Sequence, residues 1–117
     1  MVEIKTAGEI QAMRAAGQVV ARILAAVQDQ AKAGMRTSEL DAIARDVLAA
    51  AGAYSPFLNY PPRFAPVPYP GVICTSVNDA ALHGIPGRKK LADALGLSLA
   101  EIARGCTGSP GTAALSA

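Results

Sequence analysis

Aromatic side chains are scarce in this 117-residue chain: tryptophan is absent, and three tyrosines and two phenylalanines make up 4% of it. Much of the 51% hydrophobic content is alanine. Small side chains bury little apolar area, which stabilises a fold by roughly 25 cal/mol per Å². A chain of this length forms one domain at most. We therefore expect a single unit with a modest core and marginal stability.

Cysteine is also rare, and Cys74 and Cys106 do not have C-x-x-C spacing. Two such residues imply neither a disulfide framework nor a zinc site. No stretch reaches the ~18 apolar residues that a membrane span needs. The first ten residues contain two glutamates and no signal-peptide pattern. We expect a cytoplasmic protein with reduced thiols and no membrane contact.

Charge is nearly balanced, with a net charge of +2 and one short basic run at Arg88–Lys90. Such a run is typical of a solvated turn. No aromatic residues suited to base stacking are interleaved with it. We expect no direct contact with nucleic acid.

Apolar residues recur every three or four positions between Glu9 and Lys32, which predicts a helix with one face against a core. Thr6 is suited to be its N-cap, with Glu9 completing a capping box. Gly34 follows the last periodic residue and suits a left-handed C-cap.

A second helix is predicted to begin at Thr37 or Ser38, with Ser38 and Asp41 at capping-box spacing. The pair Ala51-Gly52 is predicted to end it.

Residues 54–70 hold six of the eight prolines and all three tyrosines and both phenylalanines. Proline lacks the amide donor, so neither a helix nor a central strand forms there. The segment is predicted to be either the wall of a pocket or a plain surface loop.

The β-branched run Val72–Val77 predicts a strand. Residues 80–83 are its predicted hairpin partner, closed by a Gly-Ile-Pro-Gly turn.

His83 is the only histidine, and the sequence has neither an H-E-x-x-H motif nor a cluster of metal-ligand residues. A lone histidine near a strand end is typically structural, although its pKa also suits catalysis or substrate contact. Cys74, in the middle of the predicted strand, is interpreted as a small packed hydrophobe rather than a nucleophile.

Four motifs follow one another over residues 2–86: I-K-T-A-G-E-I-Q-A-M-R-A-A-G, T-S-E-L-D, V-I-C-T-S-V-N and H-G-I-P. In this order they resemble the opening third of a type I methionine aminopeptidase. The resemblance implies an α/β fold, specifically a partial pita-bread (creatinase/aminopeptidase-like) fold. It would comprise two N-terminal helices followed by an antiparallel hairpin.

The resemblance also implies metal-dependent removal of the initiator methionine from nascent peptides whose second residue is small. Two divalent metal ions (Co, Mn, Fe or Zn in the family) share a bridging hydroxide and polarise the scissile carbonyl. The implied partners are nascent peptide N-termini, met close to the ribosome, and family members are usually monomeric.

By position, His83 matches the family's catalytic histidine, which contacts substrate from outside the metal shell. Tyr69 and Cys74 match residues that line the pocket for the methionine side chain. Phe57 and Tyr60 match other wall positions, beside a proline-rich insertion. A pocket of rings and sulfur suits a thioether side chain.

The family's five metal ligands (two aspartates, a histidine and two glutamates) belong downstream of H-G-I-P. The expected L-x-D-G-D turn begins at Leu91–Asp93 and then loses its pattern, and Glu101 is not assigned as a ligand. We expect residues 1–92 to be the N-terminal part of an aminopeptidase domain. We expect residues 93–117 to be a divergent, poorly ordered tail, and the chain alone to fold poorly and bind no metal.

A change of reading frame near Asp93 is one hypothesis for this departure, because Pro110–Ala113, if encoded CCG GGG ACA GCN, reads Gly-Asp-Ser from the third base. Divergence in a shortened paralogue is the alternative. Three functions stay open: an aminopeptidase represented by its N-terminal portion, a non-catalytic module that binds peptide N-termini, and a non-functional fragment.

Overall fold

Two helices and a pair of strands form the described part of the chain. The computed structural model describes residues 1–63, 65–77, 80–91 and 113–116. The elements in chain order are α1 (Ala7–Gln30), α2 (Thr37–Ala51), β1 (Cys74–Val77) and β2 (Ala113–Ser116).

Helix α1 begins at the predicted capping box. The Thr6 N–H donates to Glu9 Oε2 at 2.7 Å, and the Glu9 N–H donates to Thr6 Oγ1 at 3.3 Å. Two hydrogen bonds lower the pKa of the Glu9 carboxyl: the bond from the Thr6 backbone has the larger effect, and the bond from the Thr6 side chain has the smaller one. The predicted C-cap at Gly34 is wrong: α1 ends at Gln30 and Ala31 adopts an extended conformation. Gly34, at φ +86°, lies in the turn beyond.

Helix α2 begins at Thr37, as predicted, but its capping differs from the prediction. Glu39 Oε2 accepts the Arg36 N–H at 2.7 Å. The predicted Ser38–Asp41 capping pair does not form, because Asp41 is buried and bonds to a different segment. Gly52 ends the helix in the left-handed conformation at φ +62°, as predicted.

The core lies where α1, α2 and β1 meet. Its fully buried side chains include Val27 from α1 and Leu40 from α2. The predicted apolar stripe of α1 is only partly buried: Ile23 and Val27 lie in the core, whereas Ile10, Met13 and Val20 are exposed. The buried hydrophobic cluster comprises Ile23, Val27, Leu40, Ala44, Leu48, Val72, Ile73, Val77 and Leu91.

Contrary to the expectation from sequence, one helix among the described residues, α1, is long and apolar enough to cross a membrane, with a mean hydropathy of 1.2. Length and composition are a weak indication, since core helices of soluble proteins and signal sequences have the same properties. The helix contains Arg14 and Arg22. Its C-terminal half packs against α2 through Ile23 and Val27.

The partner of β1 is not the one predicted. β1 pairs antiparallel with β2, with Cys74 opposite Ser116 and Val77 opposite Ala113. Residues 80–83 do not form a strand. His83 has φ +54°, a left-handed conformation that is incompatible with an extended ladder. The predicted hairpin between residues 72–77 and 80–83 is therefore corrected to a pairing of two segments distant in sequence.

β2 lies within the segment 93–117 that was predicted to be a poorly ordered tail. Its four backbone positions are paired with β1. The rest of that segment lies outside the described residues, and the predicted boundary at residue 92 stays a prediction.

Asp41 connects α2 to the segment that leads into β1. Its Oδ1 accepts the Val72 N–H at 2.7 Å and the Ile73 N–H at 3.2 Å. Its Oδ2 accepts from Arg45 Nε at 2.8 Å, and Arg45 Nη2 donates to the Pro70 carbonyl at 2.9 Å. One carboxylate and one guanidinium thus fix residues 70–73 on the helix.

The capping arrangement of α2 gives a stability test. Glu39→Ala removes the acceptor of the Arg36 N–H and a favourable charge at the helix N-terminus, so the free energy of unfolding should fall by about 1 kcal/mol. Ser38→Ala is the matched control, since Ser38 is exposed, and should change it by less than about 0.5 kcal/mol. Urea denaturation of both variants measures the difference. A larger loss of stability for Ser38→Ala than for Glu39→Ala would contradict this assignment and support the Ser38–Asp41 capping pair predicted from sequence.

Candidate functional site

A wall of aromatic rings forms where the proline-rich loop closes on itself. The Asn59 N–H donates to the Tyr69 carbonyl at 2.8 Å, and the Tyr69 N–H donates to the Tyr60 carbonyl at 2.9 Å. These two bonds bring Phe57 and Tyr69 together, with ring centroids 6.4 Å apart at 71°. This edge-to-face contact is a favoured aromatic geometry. The sequence left two alternatives for this loop, the wall of a pocket or a plain surface loop. The structure shows that the loop carries a packed ring pair.

The Tyr69 hydroxyl joins this wall to the strand. Its Oη lies 3.1 Å from the Ile73 carbonyl and 3.0 Å from the Gly84 carbonyl, and its one O–H proton is shared between these two acceptors. Burial raises the pKa of the Tyr69 phenol, and the neighbouring Cys74 thiol and Asp41 carboxylate raise it further. The phenol is therefore a neutral donor at physiological pH, because a raised pKa disfavours its ionised form.

Cys74 and His83 face each other beside this phenol. Cys74 Sγ lies 4.0 Å from His83 Nδ1, a contact at the limit of a sulfur hydrogen bond. Cys74 is 4% exposed, whereas His83 is exposed. The thiol thus belongs to the inside of the wall, and the exposed imidazole lies at its rim.

Gly84 positions His83 against the strand. The Thr75 N–H donates to the Gly84 carbonyl at 2.7 Å, and the Gly84 N–H donates to Ser76 Oγ at 3.1 Å. A Cβ at residue 84 would collide with the Thr75 carbonyl and lie 2.9 Å from the Ser76 Cα. Glycine is therefore required for this close approach, and His83 accommodates it with a left-handed backbone.

Four of the five residues predicted from sequence lie together. Phe57 contacts Tyr69, the Tyr69 hydroxyl bonds to the carbonyls next to Cys74 and His83, and Cys74 faces His83. The fifth, Tyr60, is connected only through its backbone, and its side chain is 60% exposed.

Sequence reasoning did not identify Asp41 or Gly84 as residues of this site. Both residues belong to motifs that the sequence shows, the aspartate of T-S-E-L-D and the glycine of H-G-I-P. Their contacts are with the backbone of other segments, at Val72 and Thr75, which the motifs do not indicate.

A separate apolar groove of about 270 Å³ lies between α1, α2 and residues 53–57. Phe57 belongs to both this groove and the wall, whereas Tyr69, Cys74 and His83 do not line the groove. Its polar lining consists of Ser55 and the hydroxyl-bearing Tyr54. The convergent polar groups that fix the orientation of a ligand are at the wall rather than in this groove.

Most of the chain is similar to known proteins. Residues 11–102 match Metallopeptidase family M24. A methionine aminopeptidase of Aquifex aeolicus is 39% identical over 90 residues, which cover 77% of this chain and 35% of that protein. Methionine aminopeptidase 1 of Mycobacterium tuberculosis is 43% identical over 86 residues, covering 74% of this chain and 30% of that protein. The chain thus spans about a third of the length of these curated relatives.

A solved structure supports the same relationship. The crystal structure of methionine aminopeptidase from Rickettsia prowazekii superimposes with a TM-score of 0.69 at 32% identity. The match covers 80% of this chain and 35% of that chain. The predicted fold class, a partial α/β pita-bread fold, is confirmed, with the strand pairing corrected as above.

The raised pKa of Tyr69 predicts a specific pH dependence. Because the folded-state pKa exceeds the unfolded value near 10, the phenol's stabilisation is complete below pH 10 and is lost as the pH rises further. The wild-type free energy of unfolding should therefore fall relative to that of Tyr69→Phe above pH 10. Allowing for partial exposure, the difference should be about 1 kcal/mol or less per pH unit.

Near pH 7 the same Tyr69→Phe substitution should destabilise the chain by about 1 kcal/mol, because the Ile73 and Gly84 carbonyls lose the phenol as a donor. Denaturation curves of both proteins from pH 7 to 11 measure both effects. Parallel stability profiles above pH 10 would contradict the assigned environment of the phenol.

Proposed function

Because the chain belongs to metallopeptidase family M24, we propose that it acts in the removal of the initiator methionine from peptides. Its own contribution is the part of the site that holds the N-terminal methionine. The proposal rests on one observation: the Tyr69 hydroxyl of the ring pair bonds to the carbonyls next to Cys74 and His83, and the Cys74 thiol faces the His83 imidazole.

The chemistry of the wall suits a methionine side chain. Phe57 and Tyr69 present ring edges, and the Cys74 thiol is polarizable and buried. A flexible thioether makes favourable contacts with such groups. The Tyr69 O–H proton is engaged by the Ile73 and Gly84 carbonyls, so the hydroxyl joins the wall to the strand.

His83 is placed to contact the peptide group beside that side chain. Its exposed ring has Nδ1 toward Cys74, which leaves Nε2 for the peptide carbonyl or the N-terminal amine. A neutral imidazole donates from one nitrogen and accepts at the other. His83 would thereby orient the substrate, and the rings would exclude water from it.

The family is one of metallopeptidases, and its members use divalent metal ions. Within residues 1–63, 65–77 and 80–91, no group of three or more His, Cys, Asp and Glu side chains could hold such an ion. This part of the chain does not fit a two-metal centre. The residues described here supply substrate binding.

A second candidate follows from that mismatch: a non-catalytic module that binds peptide N-termini through the same wall. Both candidates place the partner, a nascent peptide N-terminus, in the cytoplasm and require no membrane. Both are compatible with a monomeric chain.

Binding of a methionyl peptide tests the proposed wall. Wild-type chain should bind Met-Ala-Ser more tightly than Glu-Ala-Ser, because the wall is apolar. His83→Asn should weaken Met-Ala-Ser binding about three- to tenfold, the value of one hydrogen bond. Asparagine tolerates the left-handed backbone at this position, so the variant removes the imidazole without straining the turn. Isothermal titration calorimetry measures these affinities.

Tyr54→Ala is the matched control, because Tyr54 is 90% exposed and lies outside the wall. Release of free methionine in the presence of added Mn²⁺ or Co²⁺ would support the aminopeptidase. Binding without release would support the binding module. Equal affinity for the two peptides would contradict both.

A further inference from the structure

Two cationic side chains are placed directly opposite each other near the start of α2. Arg36 and Lys90 are partners in an isolated antiparallel bridge. The Thr37 N–H donates to the Lys89 carbonyl, and the Leu91 N–H donates to the Met35 carbonyl, each at 2.8 Å. These bonds flank the pair instead of joining it. Arg36 and Lys90 are therefore a non-hydrogen-bonded pair, in which opposing side chains come closest.

The two side chains project into solvent. Thr37 and Leu91, next to them in sequence, are 1% and 2% exposed. Successive side chains of extended backbone point to opposite faces, so Arg36 and Lys90 lie on the outer face, and both are exposed. Arg88, two residues before Lys90, is exposed as well. We call Arg36, Arg88 and Lys90 the basic ridge.

Among the described residues, few carboxylates compensate the basic ridge. Ion pairs in the part of the chain that the structure describes join Lys5 with Glu3 and Arg45 with Asp41. Glu39 is the acid beside the ridge, and its carboxylate accepts from the Arg36 main chain. Like charges directly opposite each other destabilise a strand pair. An external anion would remove that repulsion.

A single small anion does not fit this surface. The first backbone N–H groups of α2 are already bonded, from Thr37 to the Lys89 carbonyl, from Ser38 to the Gly87 carbonyl and from Glu39 to the Arg36 carbonyl. Lys89 Nζ donates to the Val77 carbonyl, away from the ridge. The ridge therefore offers three long, exposed cations and no set of free backbone donors from the first turn of α2. Such a surface suits a line of phosphates rather than one.

The composition of the ridge also indicates how it would bind. It contains no aromatic residue, so bases have no stacking platform. Its three members are cations and include no apolar side chain of the kind that anchors a membrane-surface element. Contacts of cations alone to a phosphate backbone are independent of sequence.

We propose that the basic ridge binds the phosphodiester backbone of a nucleic acid without reading its bases. The proposal does not rest on the proposed function of the aromatic wall. Sequence shows only the run Arg88–Lys90, which by itself is typical of a solvated turn. The fold adds Arg36 from a distant segment and places it opposite Lys90.

Fluorescence anisotropy with labelled 12-nucleotide oligouridine and oligothymidine tests the proposal on the full chain. The logarithm of the binding constant should fall with the logarithm of salt concentration with a slope of about −2, since each of three single-strand phosphate contacts contributes ~0.7. The triple variant Arg36→Gln, Arg88→Gln, Lys90→Gln should lose at least about tenfold in affinity at low salt, and its slope should approach zero. The more tightly bound strand identifies RNA or DNA as the source of the backbone.

The triple variant Arg14→Gln, Arg22→Gln, Arg63→Gln is the matched control, because it removes the same charge from exposed positions elsewhere. It should keep the wild-type slope, and circular dichroism should show equal helix content in all three proteins. An equal loss of affinity in both triple variants would overturn the proposal, since net charge alone would then explain binding. Binding to anionic phosphatidylserine vesicles without binding to either oligonucleotide would overturn it as well.

Discussion

The Asp41 carboxylate is the constraint on which the rest of the site depends. It is 6% exposed and bonds to two consecutive backbone N–H groups, at Val72 and Ile73, while its second oxygen holds Arg45. Through Arg45 it also reaches the Pro70 carbonyl. Tyr69 precedes this segment and Cys74 follows it. A single charge on α2 therefore sets the positions of the ring wall and the strand relative to the helices.

A charged group is tolerated there because each of its oxygens has partners, and burial of an unpaired charge would be strongly unfavourable. The same contacts explain why residue 71 is a glycine. A Cβ at Gly71 would lie 3.1 Å from Asp41 Oδ1 and 2.9 Å from Pro86 Cγ. Pro86, the proline of H-G-I-P, thus packs beside the Asp41 carboxylate and Gly71, and the His83–Gly84 turn lies close to β1. The aromatic wall, the Asp41 contacts and the His83–Gly84 turn form one packed unit.

Sequence reasoning predicted the local features of this unit and missed the long-range ones. Helix periodicity and the Thr6–Glu9 capping box are local patterns, and the structure confirms them. The partner of β1 could not be inferred, because short apolar runs carry no pairing information. The role of Asp41 was misread, since capping spacing competes with a bond to residues about thirty positions away. The opposition of Arg36 and Lys90 depends on the same kind of distant pairing.

Hydrogen exchange at the Val72 amide in Asp41→Asn tests the central claim most directly. Asparagine keeps the shape and one acceptor oxygen but loses the charge, so the bond to this amide should weaken by about 1.4 kcal/mol and exchange about tenfold faster. Asp46→Asn, exposed on the same helix, should leave the rate unchanged. The Ile73 amide should follow Val72 because both bond to one oxygen. Unchanged exchange in Asp41→Asn would contradict the claim that this carboxylate holds the site together.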